Sequence, residues 1–460
     1  MPPPSANPKA LSAQGRQVSA PAAHQFQLLR QRRYAPFFWT VFLGSVNDNL
    51  LKFAVTLLLV YQAGRAAQPA WLAAGTVGPL TGALFIIPSV LMSAMAGRLA
   101  DRLPLDRLIR WGKGLEVLMM ALASWAWWLG HAWGLLGCLL LSGAHVTWFS
   151  TLKYAYVPRH LGSHELLGGN GLLEMGLFMA ILLGTLGGGV LMSDAGTQRW
   201  LPVCVLGLAL AGWALSLAVP STPAIFAQGA EQKAGLWRSL ILRQSGAVSP
   251  LVSVLGISWM WFFGATCLTL FPAVTHDVLH AEPSVASLLL VITSVGIGLG
   301  ALSCELWGRH CPAVALVAAG GLGMAVFGGD LAWSLVQLMS RQAPDVRWAA
   351  SSFLTEPTHA RLLIDLAAMA CCLGWFSVPL YAQMQARAVP THRARVVAAN
   401  NILNAIFILA SAAMVWGLDV LGAGLAGTLG VAVALHAAVM AGAALWLKSS
   451  GPRAGASTTD

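Results

Sequence analysis

Along this chain apolar residues do not alternate with polar ones. They run together for about 20 positions and are then broken by short polar segments. A run of about 20 apolar residues crosses the roughly 30 Å hydrocarbon core of a bilayer as one helix, whereas a membrane barrel alternates polar and apolar positions in shorter segments. Twelve runs can be placed: Pro36–Ala63, Leu72–Ala96, Leu108–Gly130, Trp133–Tyr156, Leu166–Leu191 and Leu201–Val219, then Leu251–Thr275, Val285–Leu306, Ala313–Met339, Ala360–Met384, Val396–Leu418 and Leu425–Leu447. The pattern predicts an all-α polytopic membrane protein of twelve transmembrane helices, with both chain ends on the same face.

The twelve divide six and six. Residues 34–219 form one half and 250–447 the other, separated by the polar stretch 220–249. Within that stretch Leu236, Trp237, Leu240 and Ile241 share a helical face, a pattern that suits either a short helix lying on the membrane surface or an unstructured linker. Asn170-Gly-Leu-Leu-Glu174 opens the fifth run and Asn400-Asn-Ile-Leu-Asn404 opens the eleventh, half a chain length apart. Such an echo is expected of duplicated halves related by an axis along the membrane normal. Residues 1–33, rich in Pro, Ala, Ser and Gln and without an apolar core, predict a disordered cytoplasmic tail rather than a signal peptide. Residues 448–460 read as a second cytoplasmic tail.

Composition agrees with this picture and excludes others. Of 460 residues 57% are hydrophobic and 10% charged, against about 25% charged in a soluble domain. Soluble, fibrous and disordered classes are thereby set aside. The net charge of +10 would suggest nucleic acid in a soluble chain, but here the basic residues lie in short loops, so no nucleic-acid partner is expected. With the amino terminus inside, twenty-one of the 27 Lys and Arg residues fall on the inner face, Lys113 counted among them. Five fall outside: Arg65, Arg199, Arg341, Arg347 and Arg361. Both termini are therefore expected in the cytoplasm. The 7 cysteines have no ligand spacing and read as small buried hydrophobes.

An ionisable side chain inside the bilayer is costly, about 2.5–3.5 kcal/mol at the helix centre, and invites a functional reading. Asn47-Asp48-Asn49 followed by Lys52 is the densest case. Asp48 and Lys52 are one turn apart and can pair, either as a head-group or proton site or as an internal staple. Glu174 lies too deep to reach the interface and needs a partner; Lys153 is the nearest candidate, unless it is an ordinary interfacial lysine. Gln385 could hydrogen-bond in a cavity, and Arg387 could fork onto a phosphate or anchor its helix. Asn400, Asn401 and Asn404 can join helices or line a path. Glu116, Asp330, Asp365 and Asp419 read as structural. The glycine-rich pieces around Gly184 and Gly296–Gly300 lie inside apolar helices, which points to helix packing rather than nucleotide binding. No Walker motif or catalytic constellation stands out, and His164-Glu165 lacks the second histidine of a metalloprotease helix. The chain is expected to be no enzyme and to use no cofactor or metal.

Gly97-Arg98-Leu99-Ala100-Asp101-Arg102 followed by Arg107 resembles the loop signature of major facilitator transporters, with Pro104 and Leu105 where glycine is usual. By that resemblance Gly97, Asp101, Arg102 and Arg107 latch the inner ends of neighbouring helices in a gate. More specifically, Phe42–Lys52, this loop, Lys153-Tyr154, Asn170–Glu174, Ala180–Gly184, Ile257–Trp259, Val378–Ala382 with Gln385 and Arg387, and Ala398–Asn404 resemble the bacterial lysophospholipid transporter family, over most of Tyr34 to Leu447. The likeness is to the branch fused ahead of acyltransferase and ligase domains; with the sequence ending at Asp460, those domains are expected to be absent from this polypeptide. The resemblance implies the major facilitator fold and inward transport of lysophosphatidylethanolamine-like lipids across the bacterial inner membrane for reacylation. It places Asp48, Lys153, Glu174 and Arg387 at the polar cavity, with Asn47 and Asn49 beside them. Thr151-Leu152 and Ala386 depart from the family's pattern. The expected partners are the lysophospholipid, membrane lipids and an acyltransferase, with the transporter a single chain. A proton-coupled exporter of drugs or metabolites, and a membrane scaffold for an acyltransferase, are the competing readings.

Overall fold

The computed structural model describes residues 24–63, 74–225, 235–242, 249–341 and 348–450. Among the described residues, twelve long helices carry the fold. In the first half they are α1 (Ala35–Ala63), α2 (Ala74–Arg102), α3 (Leu105–Trp128), α4 (Ala132–His160), α5 (Leu166–Leu191) and α6 (Leu201–Leu217). In the second they are α7 (Pro250–Ala273), α8 (Pro283–Gly308), α9 (Ala313–Arg341), α10 (Pro357–Arg387), α11 (Arg393–Val420) and α12 (Gly424–Ser450). Eleven are long and apolar enough to cross a membrane. The twelfth, α3, is the exception because Asp106, Arg107, Arg110, Lys113 and Glu116 all lie in its first half.

The packing repeats with a shift of six. α1 packs on α5 as α7 packs on α11, α2 on α4 as α8 on α10, and α3 on α6 as α9 on α12. The halves meet in the same paired way, α2 against α11 and α5 against α8. The fold class expected from the hydropathy pattern is therefore observed: two six-helix halves around a central seam. Small residues set how close these helices come. A Cβ at Gly300 of α8 would fall on the backbone of Cys371 in α10, and one at Gly374 would lie 2.5 Å from the Ala301 nitrogen. Gly184 of α5 is likewise pressed on α1, its Cβ position 2.5 Å from the Val46 carbonyl oxygen. Both glycine runs are helix contacts, as the sequence implied.

One expectation needs correction. The disordered tail is expected to reach residue 33, but residues 24–33 are ordered; residues 1–23 lie outside the described residues. Gln25–Leu28 forms a short helix, with Leu28 buried and the Gln25 side-chain amide donating to the Leu302 carbonyl at 2.8 Å. Arg33 then forks onto Glu165, donating to both carboxylate oxygens. A low-hydrophobicity segment is held because it docks on finished surface. In the central stretch Leu236–Ile241 is helical, one of the two forms expected there, with Leu240 buried and Trp237 and Ile241 facing outward. The remainder of the linker, 226–234 and 243–248, lies outside the described residues, as do 451–460.

Candidate functional site

Successive residues of a helix point about 100° apart, so Asn47, Asp48 and Asn49 face three directions. Asn47 Nδ2 donates to Glu116 Oε1 of α3 at 3.2 Å. Asp48 Oδ2 faces α4, 3.8 Å from His145 Nδ1. Asn49 Nδ2 donates back to the Ser45 carbonyl at 2.8 Å, and its Oδ1 accepts from Lys52 Nζ at 3.2 Å. Lys52 rests its ammonium 4.9 Å from the Phe85 ring centre. The expected Asp48–Lys52 pair is thus not what forms: the lysine reaches Asn49 and an aromatic face, and Asp48 turns to a neighbouring helix.

What sequence reading missed is the cluster around Glu116. Lys113, an inner-loop charge by its place in the sequence, and Glu116, expected to be structural, are both fully buried and joined at 2.5 Å. His145 Nε2 approaches Glu116 Oε2 at 3.4 Å. The long Lys113 side chain fits because Gly44 of α1 leaves its Nζ the room a Cβ would take, with Gly212 of α6 beside it, and its ammonium lies 4.8 Å from the Phe149 ring centre. Lys113 and Glu116 share a helix face at i,i+3, the one signal the sequence carried. His145 carried none.

Glu174 is fully buried, and the Tyr154 hydroxyl donates to its Oε1 at 2.5 Å. Lys153 is buried, its ammonium 4.3 Å from the Tyr154 ring centre, within electrostatic reach of Glu174. It is no snorkelling lysine, and Tyr154 rather than Lys153 makes the direct contact with the carboxylate. Tyr154 stacks on Tyr381 of α10 at 4.4 Å between ring centres, and Trp261 of α7 donates to the Tyr381 hydroxyl at 3.1 Å. Lys153, Tyr154, Tyr381 and Trp261 line a cavity of about 170 Å³ between the halves, with Glu174 behind Tyr154. Its charged wall, Asp48, Lys113, His145 and Lys153, belongs to the first half; the second half contributes Trp261, Tyr381 and Asn404, none of them charged.

Of the remaining sequence candidates, Asn404 lines the cavity and the others lie outside it. Gln385 exchanges two hydrogen bonds with Asn170, at 2.8 and 3.0 Å, across the seam between halves. Arg387 donates to Ser253 Oγ at 3.1 Å, at the end of α10. Asn404 Oδ1 accepts from Ser258, and Asn400 is fully buried with neither side-chain polar atom hydrogen-bonded. Asn401 joins Ser150 and Thr151 of α4.

These cross-half bonds sit toward the end of the bundle that carries the basic loops. There the loop candidates separate. Asp101, fully buried, lies 3.3 Å from Arg395 Nε of α11, and Gly97 lets α2 close on α11, its Cβ position 2.8 Å from Ala398 Cβ. Arg102 and Arg107 are exposed and take no part in this contact. The halves are therefore shut against each other at the basic end.

No family model matches the chain. Solved structures with its fold include the Escherichia coli fucose:proton symporter FucP (TM-score 0.64, 14% identity, covering 89% of this chain and 97% of that one). The human organic anion transporter MFSD10 is similar too (TM-score 0.64, 16% identity, 88% and 98%). The chain has the fold of major facilitator transporters. Among curated proteins it is a homologue of bacterial proteins named lysophospholipid transporter LplT. It is 26% identical over 302 residues to that of Serratia proteamaculans, covering 62% of this chain and 69% of the relative. To that of Photorhabdus laumondii it is 26% identical over 270 residues, covering 56% and 62%. The match thus spans roughly two thirds of the curated relatives' length.

Proposed function

We propose that the chain is a lysophospholipid transporter that moves lysophosphatidylethanolamine-like lipids inward across the bacterial inner membrane by alternating access, delivering them to an acyltransferase. The observation that carries this reading is the two-sided cavity: acid and base groups on one wall, aromatic groups on the other. A lysolipid is itself two-sided. Its phosphate suits Lys113 and Lys153, its amine suits Asp48, with Glu174 held behind Tyr154, and paired charges lower the cost of taking a zwitterion through hydrocarbon. The charged wall of the cavity suits the head group and its aromatic wall the first part of the acyl tail. The rest of the tail stays in the surrounding lipid. With the basic end cytoplasmic, as the Lys and Arg distribution supports, closure there by Asp101, Arg395 and Gln385 leaves the cavity to be loaded from the far side. Rocking of the halves about the α2–α11 and α5–α8 seams then delivers the lipid inward.

The test is uptake of labelled lysophosphatidylethanolamine into spheroplasts expressing the chain, read as conversion to diacyl lipid. Uptake above an empty-vector control is expected, and its absence would refute the assignment.

A further inference from the structure

The segment ahead of α1 touches both halves at the basic end. Its later part belongs to the first half. Arg33 donates to both carboxylate oxygens of Glu165, just before α5, and to the His160 carbonyl at the end of α4, the last at 2.8 Å. The Tyr156 hydroxyl donates to the Arg33 carbonyl at 2.8 Å, and Leu28 is buried in the apolar cluster that holds Tyr34, Phe37 and Leu166. Its earlier part reaches across the seam to α8. The Gln25 backbone nitrogen donates to Glu305 Oε2 and its side-chain Nε2 to the Leu302 carbonyl, each at 2.8 Å. Gln25 is only 2% exposed.

We propose that Gln25–Arg33 is a strap over the α5–α8 seam, with Arg33 its anchor and the Gln25–Glu305 contact the latch that keeps the basic end shut. Glycines make the crossing possible. A Cβ at Gly168 of α5 would lie 3.0 Å from Gln25 Cβ, and one at Gly171 would lie 2.6 Å from the Ala301 carbonyl oxygen. Gln25 therefore sits where the two helices converge, and parting them pulls it from one or the other. The anchor contacts lie within the first half, so rocking leaves Arg33 in place and breaks the two bonds to α8. Glu305 is arranged for the latch. Arg309, one turn on, donates to its Oε1 at 2.9 Å and leaves Oε2 to the Gln25 amide. The latch is also weak enough to reset, because Gln25 Oε1 is buried without a hydrogen bond, which offsets part of what the two bonds contribute.

The two seams are fastened differently. Across α2–α11 the helices hold each other directly, Asp101 against Arg395. At the α5–α8 seam each half offers a carboxylate, Glu165 and Glu305, which cannot pair with each other while both are ionised. The strap brings a donor to each. In the corresponding place of the second half, Leu236–Ile241 packs on α7 and α11 of its own half.

The proposal rests on the alternating-access reading above, and the experiment separates the two. Spin labels are placed at Ser163→Cys and His310→Cys, exposed positions beside α5 and α8, in the full chain with its native cysteines replaced and in lipid nanodiscs. Gln25→Glu sets a carboxylate against Glu305 and the Leu302 carbonyl. It is expected to raise the open-to-shut ratio about tenfold, the worth of one hydrogen bond to a charged group. Arg33→Ala frees the anchor and is expected to act likewise. In Gln25→Glu/Arg33→Ala the effect is expected to equal that of Arg33→Ala alone, because an unanchored strap carries its charge away from α8, whereas two independent defects would add. Asp101→Asn acts on the other seam and serves as the comparison. Native distances in Gln25→Glu and Arg33→Ala while Asp101→Asn lengthens them, or additive effects in the double variant, overturn the strap and leave alternating access standing. Distances unmoved in every variant, and by added lysophosphatidylethanolamine, overturn both.

Discussion

Replacing Asp101 by Asn removes the negative partner of a buried cross-half ion pair while keeping its shape. Asp101 and Arg395 have side-chain exposures of 0% and 3% and lie 3.3 Å apart, so the substitution leaves a buried guanidinium without its carboxylate. Removing one partner of such a pair costs about 3–5 kcal/mol. Other contacts of Arg395 and the nearby Arg159 guanidinium, which already acts on Asp101, favour the lower figure. The cost applies only while the basic end is shut, because on opening Arg395 meets water. At 1.4 kcal/mol per tenfold, about 3 kcal/mol moves the open-to-shut ratio by roughly two orders of magnitude. The assay is the distance between spin labels on exposed positions of the two halves, Arg102→Cys and His310→Cys, in a background with the native cysteines replaced. Asp101→Asn is expected to populate a longer distance. The double variant Asp101→Asn/Arg395→Gln, with no buried charge left over, is expected to return most of the way to the native distribution, a non-additivity that marks a direct pair. Distances unchanged in the single variant would refute the reasoning.

Three further outcomes are expected. Lys113→Met leaves Glu116 buried without its cation and lowers stability by about 3–5 kcal/mol, seen as a lower unfolding midpoint in detergent; Lys113→Met/Glu116→Leu recovers most of the loss. Gly300→Val drives side-chain atoms into the Cys371 backbone and abolishes the monodisperse folded species on size exclusion, whereas Gly207→Val, with nothing within 4 Å, is tolerated. Burial acts to raise the Glu165 carboxyl, but the Arg33 hydrogen bonds and the Gly162 amide outweigh it and hold the group below its ordinary value. A depressed carboxylate stabilises above its unfolded value of about 4.3 and loses that contribution as pH falls through the lower folded value. The protection of the Gln25–Arg33 amides from hydrogen exchange, taken relative to the intrinsic rate at each pH, is therefore expected to hold at neutral pH and to fall in acid, and Arg33→Ala to lack it throughout.

Sequence alone determined the architecture. A run of about 20 apolar residues has one low-energy fate, a spanning helix with its backbone satisfied internally, so twelve helices, two halves and the glycine contacts could be read from patterning without any knowledge of packing. It also marked Asp48, Lys153 and Glu174, because a charge in an apolar run is conspicuous wherever it points. Periodicity could not say which helix each charge would face. Asp48 lies one turn from Lys52 along its own helix, yet meets His145, nearly a hundred residues away. Lys113 looked like a loop cation because it follows Arg107 and Arg110, and only the meeting of α1, α3 and α6 buries it against Glu116. His145 is unremarkable in an apolar run until two carboxylates from other helices arrive at its two nitrogens. Hydrocarbon selects helices residue by residue, whereas a polar site within them is assembled by tertiary packing, and that geometry alone decided which buried charges are shared.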